Sequence, residues 1–432
     1  MNLSTFDSKK KDFPNMKILL PLVILSVIGI ITLLSTTILS RGGFGDLEIV
    51  YKQILFVFVG IILFLLLSRI DLSYLKHWQV VTIIYITTLL LLLITFFFAP
   101  TINYVRRWLV IGGIQIQPSE IAKVVVILYT AVIMSKKDTY NEWLLFFVSF
   151  LLTIPFVILI YIEPDASMTL LTLAIWFLVA FLGLTNPIRN TIIILIVSCI
   201  LGAFLFSTIT GNLLWLLLII PGLILSVFSF YTNNPWRKAV IIALAIAFLL
   251  GIVSTTVWDQ MLRDYQKDRI IAFFNPIGTE ADIGFNVNQS RIAIGSGRLF
   301  GKGFGNGTQS KRNFLPEHQT DFIFASFAEE FGLVGSLFLM SLYGYLIVLC
   351  FLIGMNTSDN QFLSLLALGM GVKVLLEVFI NIGTNTGAIP ATGIPLPLMS
   401  AGGSISVMTF VSLALVRTEG RSTKPIVMQD DT

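Results

Sequence analysis

Run after run of this chain goes on for about twenty residues with hardly a charge, as in ILLPLVILSVIGIITLLSTTIL near the start. That feature leaves few folds open. A backbone in hydrocarbon must satisfy its own hydrogen bonds, and a helix does so within one segment. About twenty apolar residues carry a helix across a bilayer. Twelve such spans are expected, near 17–39, 48–68, 79–98, 119–135, 143–162, 166–184, 190–209, 213–231, 238–257, 321–354, 361–383 and 397–416. The fourth is short and carries Glu120 and Lys123, which places it among other helices. Composition agrees: 56% of residues are hydrophobic and 12% charged, where a soluble domain carries about 25% charged. The fold class is an all-α polytopic membrane protein.

One stretch breaks the pattern. Residues 258–320 are polar, rich in glycine and charge, and contain no span. Long loops are functional or disordered. Ile270, Phe273, Phe274, Phe285, Ile292, Ile294, Phe300 and Phe314 argue against disorder. A transporter seldom needs such a loop; an enzyme acting on a polar head group does. The domain organisation is therefore a tail at 1–16, a membrane domain at 17–416 that includes the 258–320 loop, and a tail at 417–432.

Cytoplasmic loops are enriched in Lys and Arg. With the N-terminus inside, the inner segments hold Lys9, Lys10, Lys11, Lys17, Arg69, Lys76, Lys136, Lys137, Arg189, Arg237 and Lys238, and the C-terminal tail adds Arg417, Arg421 and Lys424. The short outer loops hold Arg41, Lys52, Arg106 and Arg107. Both termini are expected in the cytoplasm and the long loop outside, in a multi-pass protein of the cytoplasmic membrane. The lysine-rich start precedes a span too long for a secretory signal. Cys199 and Cys350 both fall in spans and read as small core residues. His77 and His318 are the only histidines, which excludes a multi-histidine metal centre.

Several charges need a reason. Arg106 and Arg107 precede Trp108: either an interfacial anchor or a pair of guanidiniums gripping phosphate. Their position on the wrong side for topology favours the second. Glu120 and Lys123 lie on one helix face, as a structural ion pair or as groups facing a cavity. Asp165, after Glu163 and Pro164, is placed to cap the helix from Ala166. Lys373 and Glu377 are one turn apart in the eleventh span; they neutralise each other, or one lines the cavity. The glycines of GSG at 295–297 and GKGFGNG at 301–307 could offer backbone N–H groups to an anion, though tight turns alone explain them. Glu280, Asp282, Glu317 and Asp321 are the carboxylates available as proton acceptors.

Together these pieces resemble the SEDS (shape, elongation, division and sporulation) family of polytopic peptidoglycan glycosyltransferases. The resemblance rests on RRWLVIGGIQIQPSEIAK, EPDASMTLL, QSRIAIGSGRLFGKGFGNGTQ, FLPEHQTDFIFASFAEEFGLVG and GAIPATGIPLPLMSAGGS, in that order. The wording is nearer the rod-shape branch than the division branch. The resemblance implies polymerisation of lipid II outside the cytoplasmic membrane, with a class B penicillin-binding protein as partner and a catalytic carboxylate in the long loop. The sequence departs from the family there. Aligning Asn275-Pro276 and Gly284-Phe285 with the family pattern leaves Thr279 where an aspartate is usual. Asp282 is then the first candidate for the base and Glu280 the second. A second departure puts Gln319, preceded by His318, where histidine usually precedes Thr-Asp. The family has ten spans, so the surplus pair lies between about Arg189 and Arg237.

The implied reaction is attack of a sugar hydroxyl on the anomeric carbon of a polyprenyl-pyrophosphate disaccharide. It needs a base and positive charge at the departing pyrophosphate. Arg106, Arg107, Lys123 and Lys302 are the candidates for that charge. Glu120, Asp165, Gln289, Glu317 and Asp321 complete the expected substrate-binding set. No cofactor is certain; a divalent cation, Mg or Mn, would add charge, and no ligand cluster marks its place. Nucleic acid has no part. Two rival readings stand: a lipid II flippase, which needs no outer base, and a non-catalytic cell-wall scaffold.

Overall fold

The computed structural model describes residues 16–37, 47–101, 105–186, 190, 193, 267, 273, 283–311, 315–357 and 359–417. Asp282, Glu280, the span expected near 190–209 apart from residues 190 and 193, and the spans expected near 213–231 and 238–257 lie outside them. The described helices are α1 (Met16–Thr36), α2 (Glu48–Leu67), α3 (Trp78–Phe98), α4 (Pro118–Met134), α5 (Glu142–Ile162), α6 (Ala166–Gly183), α7 (Ile283–Ser296), α8 (Ile323–Asn356), α9 (Gln361–Thr386) and α10 (Gly403–Ala414). Among the described residues, seven of these are long and apolar enough to cross a membrane: α1, α2, α3, α5, α6, α8 and α9. The chain is a multi-pass helical membrane protein.

The chain divides into two compact units. The first comprises Met1–Gly183, Ser290–Asn385 and Thr392–Thr432; the second comprises Leu184–Gln289 and Thr386–Ala391. Everything that follows concerns the first unit unless stated.

Short α4 is its hub. It packs against α3, α5, α6 and α10 and is buried along almost its whole length, including Glu120 and Lys123. The outer helices turn large apolar side chains outward: Ile54 and Phe58 on α2, Ile83 and Ile86 on α3, Phe147 and Leu151 on α5. On a soluble protein such faces would be liabilities; around a membrane bundle they are the lipid surface. α2 and α10 interlock. The Phe410 ring fills the notch at Gly60, where a Cβ would lie 2.4 Å from the ring, and Phe56 fills the notch at Gly403, where it would lie 2.2 Å away.

Three details go beyond the sequence expectation or differ from it. The long loop, expected to be ordered and to hold no span, contains α7 and a turn of helix at Thr308–Lys311. The last span, expected from 397, becomes helical only at Gly403. Pro395 and Pro397 cannot donate to a helix, so Ile394, Leu396, Leu398, Met399 and Ser400 are buried in extended or turn backbone instead. Finally, β1 (Leu109–Ile111) and β2 (Ile114–Ile116) form a small antiparallel hairpin between α3 and α4. Three-residue strands are too short to show a period-2 signal.

Candidate active site

The hairpin delivers two side chains to the turn between α5 and α6. Arg107 donates through Nε to the carbonyl of Glu163 at 3.2 Å and through Nη2 to that of Pro164. Its Nη1 lies 3.6 Å from Asp165 Oδ2. Gln117 adds a longer contact, Nε2 to Asp165 Oδ2 at 3.4 Å. Asp165 Oδ1 accepts the backbone N–H of Met168 at 3.2 Å, so it caps α6 while pairing with Arg107. Glu163 is 2% exposed, and its Oε1 is buried without a hydrogen-bond partner. Burial, with Asp165 adding repulsion and Arg107 partly offsetting it, pushes the carboxyl up to about 8. Arg106 points elsewhere: it is exposed and donates to Thr101 Oγ1 at 3.2 Å.

Gln117 carries the link onward. Its backbone N–H donates to Ser404 Oγ at 2.9 Å, and that hydroxyl contacts the carbonyl of Gln115 at 3.3 Å. Just before α10, Ser400 Oγ donates to the carbonyl of Thr320 at 2.6 Å, and the N–H of Ala401 to that of Gln319 at 2.8 Å. The segment from Glu317 to Asp321 is thus tied to the α10 entry. From the other side, Asn381 and Asn385 of α9 each donate to the carbonyl of Asp321 at 2.9 Å. Asn385 also accepts the N–H of Ala325 at 3.1 Å, and its carbonyl accepts Ser290 Oγ of α7 at 2.7 Å. Glu317 is exposed and accepts Thr320 Oγ1 at 2.9 Å. His318 Nδ1 lies 2.9 Å from the Leu315 carbonyl, and burial pulls its imidazole below the usual range.

The glycine-rich segment holds anions of the chain's own. α8 breaks at Gly332 (φ 67°, ψ −165°), and the segment after α7 packs into the break. Lys302 and Gly303 donate N–H to the carbonyls of Glu329 and Glu330 at 3.0 and 2.9 Å, while Leu333 and Val334 donate back to Arg298 and Leu299 at 2.9 and 3.1 Å. The approach is so close that a Cβ on Gly301 would lie 2.0 Å from the Glu330 carbonyl oxygen. Buried Glu329 accepts from Lys302 Nζ at 2.6 Å, Thr308 Oγ1 at 2.7 Å and Thr308 N at 2.9 Å. Buried Glu330 accepts Ser35 Oγ of α1 at 2.5 Å, and Ser35 in turn accepts the N–H of Gly305 at 2.9 Å. The expected anion for this N–H-rich segment is therefore supplied from within.

Below the α4 entry sit four more charges, none more than 1% exposed. Lys123 Nζ lies 2.9 Å from Glu120 Oε1 and 2.6 Å from Glu377 Oε1; Lys373 Nζ lies 3.0 Å from Glu377 Oε2. Glu120 Oε2 and Ser119 Oγ are buried with no hydrogen-bond partner. This cluster ties α4 to α9, and so ties the Arg107 side of the site to the Asp321 side.

The fold thus gathers Arg107, Asp165, Glu317 and Asp321 along one hydrogen-bonded end of the helices. It buries Glu120 and Lys123 beneath that end and pairs Lys302 with Glu329. Gln289 is half-buried on α7, in the second unit. Among the described residues, no group of three or more His, Cys, Asp or Glu could hold a metal ion. Sequence reasoning passed over Glu163 as a site residue and missed Glu329, Glu330, Asn381 and Asn385. The rule that marks ionisable groups at membrane depth applies equally to the adjacent acids in FASFAEEFG.

Comparison with known proteins extends these findings. The family model described as cell cycle protein, covering FtsW, RodA and SpoVE, matches residues 15–213 and 216–424. The peptidoglycan glycosyltransferase MrdB of Escherichia coli strain K12 is 29% identical over 412 residues, 95% of this chain and 96% of that protein. The peptidoglycan glycosyltransferase RodA of Treponema pallidum is 31% identical over 90% of this chain and 93% of its own length. A chain from a peptidoglycan synthase complex that coordinates polymerization and crosslinking superposes with TM-score 0.64 at 24% identity, over 92% of this chain and 95% of that one. The rod shape determining protein RodA of Thermus thermophilus does so with TM-score 0.57 at 23% identity, over 93% and 95%.

Proposed function

The chain belongs to the SEDS family of FtsW, RodA and SpoVE cell-cycle proteins, and on that premise we propose that it is a peptidoglycan glycosyltransferase of the RodA type, polymerising lipid II for cell elongation and shape. The observation that carries the reading is the continuous polar end of an otherwise apolar bundle. It runs from the turn at Glu163 through Arg107, Gln117 and Ser404 to Asp321. A substrate with a polyprenyl tail and a charged sugar head needs that combination: lipid-facing helix walls beneath fixed polar groups.

In the proposed reaction a glycan hydroxyl attacks the anomeric carbon of the lipid-linked disaccharide, its proton passes to a loop carboxylate, and the polyprenyl pyrophosphate departs. Asp282 is the proposed base, with Glu280 second. Of the four cations named from sequence, Arg106 is the exposed one and is the proposed contact for the pyrophosphate. Arg107 positions the turn that carries Asp165. Lys302 and Lys123 act through the carboxylates they hold. No step is assigned to a divalent cation, for which the described residues offer no ligand cluster.

The polar end faces outward in this reading, and both termini are cytoplasmic. Lys17, Arg69, Lys76, Lys136, Lys137 and Arg417 all lie at the other end of their helices, as the positive-inside rule requires. The partner is a class B penicillin-binding protein that crosslinks the product.

Purified protein in detergent tests the proposal, because no membrane is present to flip across. Polymer should form from lipid II, and Asp282→Asn should lower the rate roughly 10²-fold or more. Absence of polymer with and without the partner would favour a flippase or a scaffold. Normal rates in the Asp282→Asn/Glu280→Gln double variant would remove both carboxylates from the chemistry.

A further inference from the structure

A cavity of about 510 Å³ opens at the far end of α4 from Gln117, within the range of small-molecule sites. Its charged lining is Lys76, Lys136, Asp138 and Asp359, with Gln361 beside them and Phe362 at its base. Lys76 Nζ stands 5.9 Å from the centroid of the Phe362 ring. Gln361 Nε2 donates to Asp138 Oδ2 at 3.1 Å. The other amide atom, Gln361 Oε1, is buried without a hydrogen-bond partner.

We propose that this cavity binds the zwitterionic head group of an aminophospholipid, its phosphate on Lys76 and Lys136 and its ammonium on Asp138 and Asp359, all four exposed. The lining carries both signs in equal number. A simple anion would leave two carboxylates facing it, and a simple cation would leave two ammonium groups. A ligand with a phosphate and a primary amine a few ångströms apart satisfies both. The location fits a lipid rather than a solute. Lys17, Arg69, Lys137 and Arg417 lie at the same end of their helices, as basic residues do at head-group depth. Beyond Lys76, the residues Ile83, Ile86 and Leu90 are exposed at 65%, 50% and 52% on one face of α3, a track for acyl chains.

The test is native mass spectrometry of the full chain in detergent, offered equimolar phosphatidylethanolamine, phosphatidylglycerol and phosphatidylcholine. Phosphatidylethanolamine should be retained roughly tenfold over the others, the worth of one charge-assisted contact. The preference should vanish in Lys76→Met/Lys136→Met and in Asp138→Asn/Asp359→Asn, both checked for unchanged elution and melting. These positions are at the surface, so folding should survive. Equal retention of phosphatidylglycerol, or of phosphatidylcholine with its N–H-free head group, would overturn the proposal. So would a preference untouched by either double substitution. Binding of soluble O-phosphoethanolamine as tight as that of the lipid would overturn the assignment to a lipid.

Discussion

Glu377 is the side chain on which the buried cluster turns, because each of its oxygens holds a different lysine: Oε1 lies 2.6 Å from Lys123 and Oε2 3.0 Å from Lys373. Two glutamates and two lysines sum to zero charge, and none is more than 1% exposed. Glu377→Gln leaves Lys123 with Glu120 and gives Lys373 only an amide, so one buried positive charge goes uncompensated. Breaking a buried pair in this way costs about 3–5 kcal/mol. Lys373→Met alone leaves a surplus carboxylate and should cost a similar amount. The double variant removes one charge of each sign and keeps the Lys123–Glu120 contact at 2.9 Å. It should therefore be more stable than either single variant. Independent sites would instead add, to roughly 6–10 kcal/mol. Thermal unfolding of detergent-purified protein, with the yield of monodisperse material, measures the cycle. A double variant that loses as much as the two singles together would refute charge balance as the basis of the cluster.

Two further outcomes follow from the site. Glu163 is raised from an ordinary 4.5 to about 8, so the folded chain keeps a proton that the unfolded chain releases. Stability should fall as pH rises through that window, by about 1.4 kcal/mol per pH unit, and Glu163→Gln should remove the slope between pH 6 and 8; parallel profiles for the two proteins would refute the assignment. Gly301→Ala forces a Cβ to within 2.0 Å of a backbone oxygen at φ +79°, adding about 1–2 kcal/mol of strain and endangering two backbone bonds of about 1 kcal/mol each. Hydrogen exchange at Thr308 and Gln309 should then quicken at least tenfold, while Gly303→Ala, which carries the same backbone strain at φ +89° but whose Cβ would meet only a side-chain atom of Asn306 at 3.3 Å, should change it less.

Hydropathy made the membrane helices legible because a span is a local signal. The limits appear where contacts are not local. Glu120 with Lys123, and Lys373 with Glu377, could each be paired by helical spacing. That Lys123 reaches Glu377 was not readable, since nothing in either segment names the other. The glycines from 295 to 307 were recognisable as an anion-binding pattern, but the anion proved to be Glu329 and Glu330 of the following helix. Glu329 was passed over in the sequence; only the break at Gly332 shows why the segment docks there. For Arg107, with Arg106, the sequence allowed an interfacial anchor or a phosphate grip and favoured the grip. Its donors instead face the carbonyls of Glu163 and Pro164, a partner set that a backbone turn supplies without any sequence signature.

The pairing within the buried cluster also bears on how the protein enters the bilayer. A lone charge at the centre of an inserting helix costs about 2.5–3.5 kcal/mol, and α4 is synthesised long before α9. Each helix, however, carries its own counterion: Glu120 one turn before Lys123 in α4 at 2.9 Å, and Glu377 one turn after Lys373 in α9 at 3.0 Å. Both can leave the translocon as neutral segments. The contact between Lys123 and Glu377 at 2.6 Å then forms only as the later helix arrives, so assembly adds a contact between charges already neutralised and exposes no bare ion to lipid.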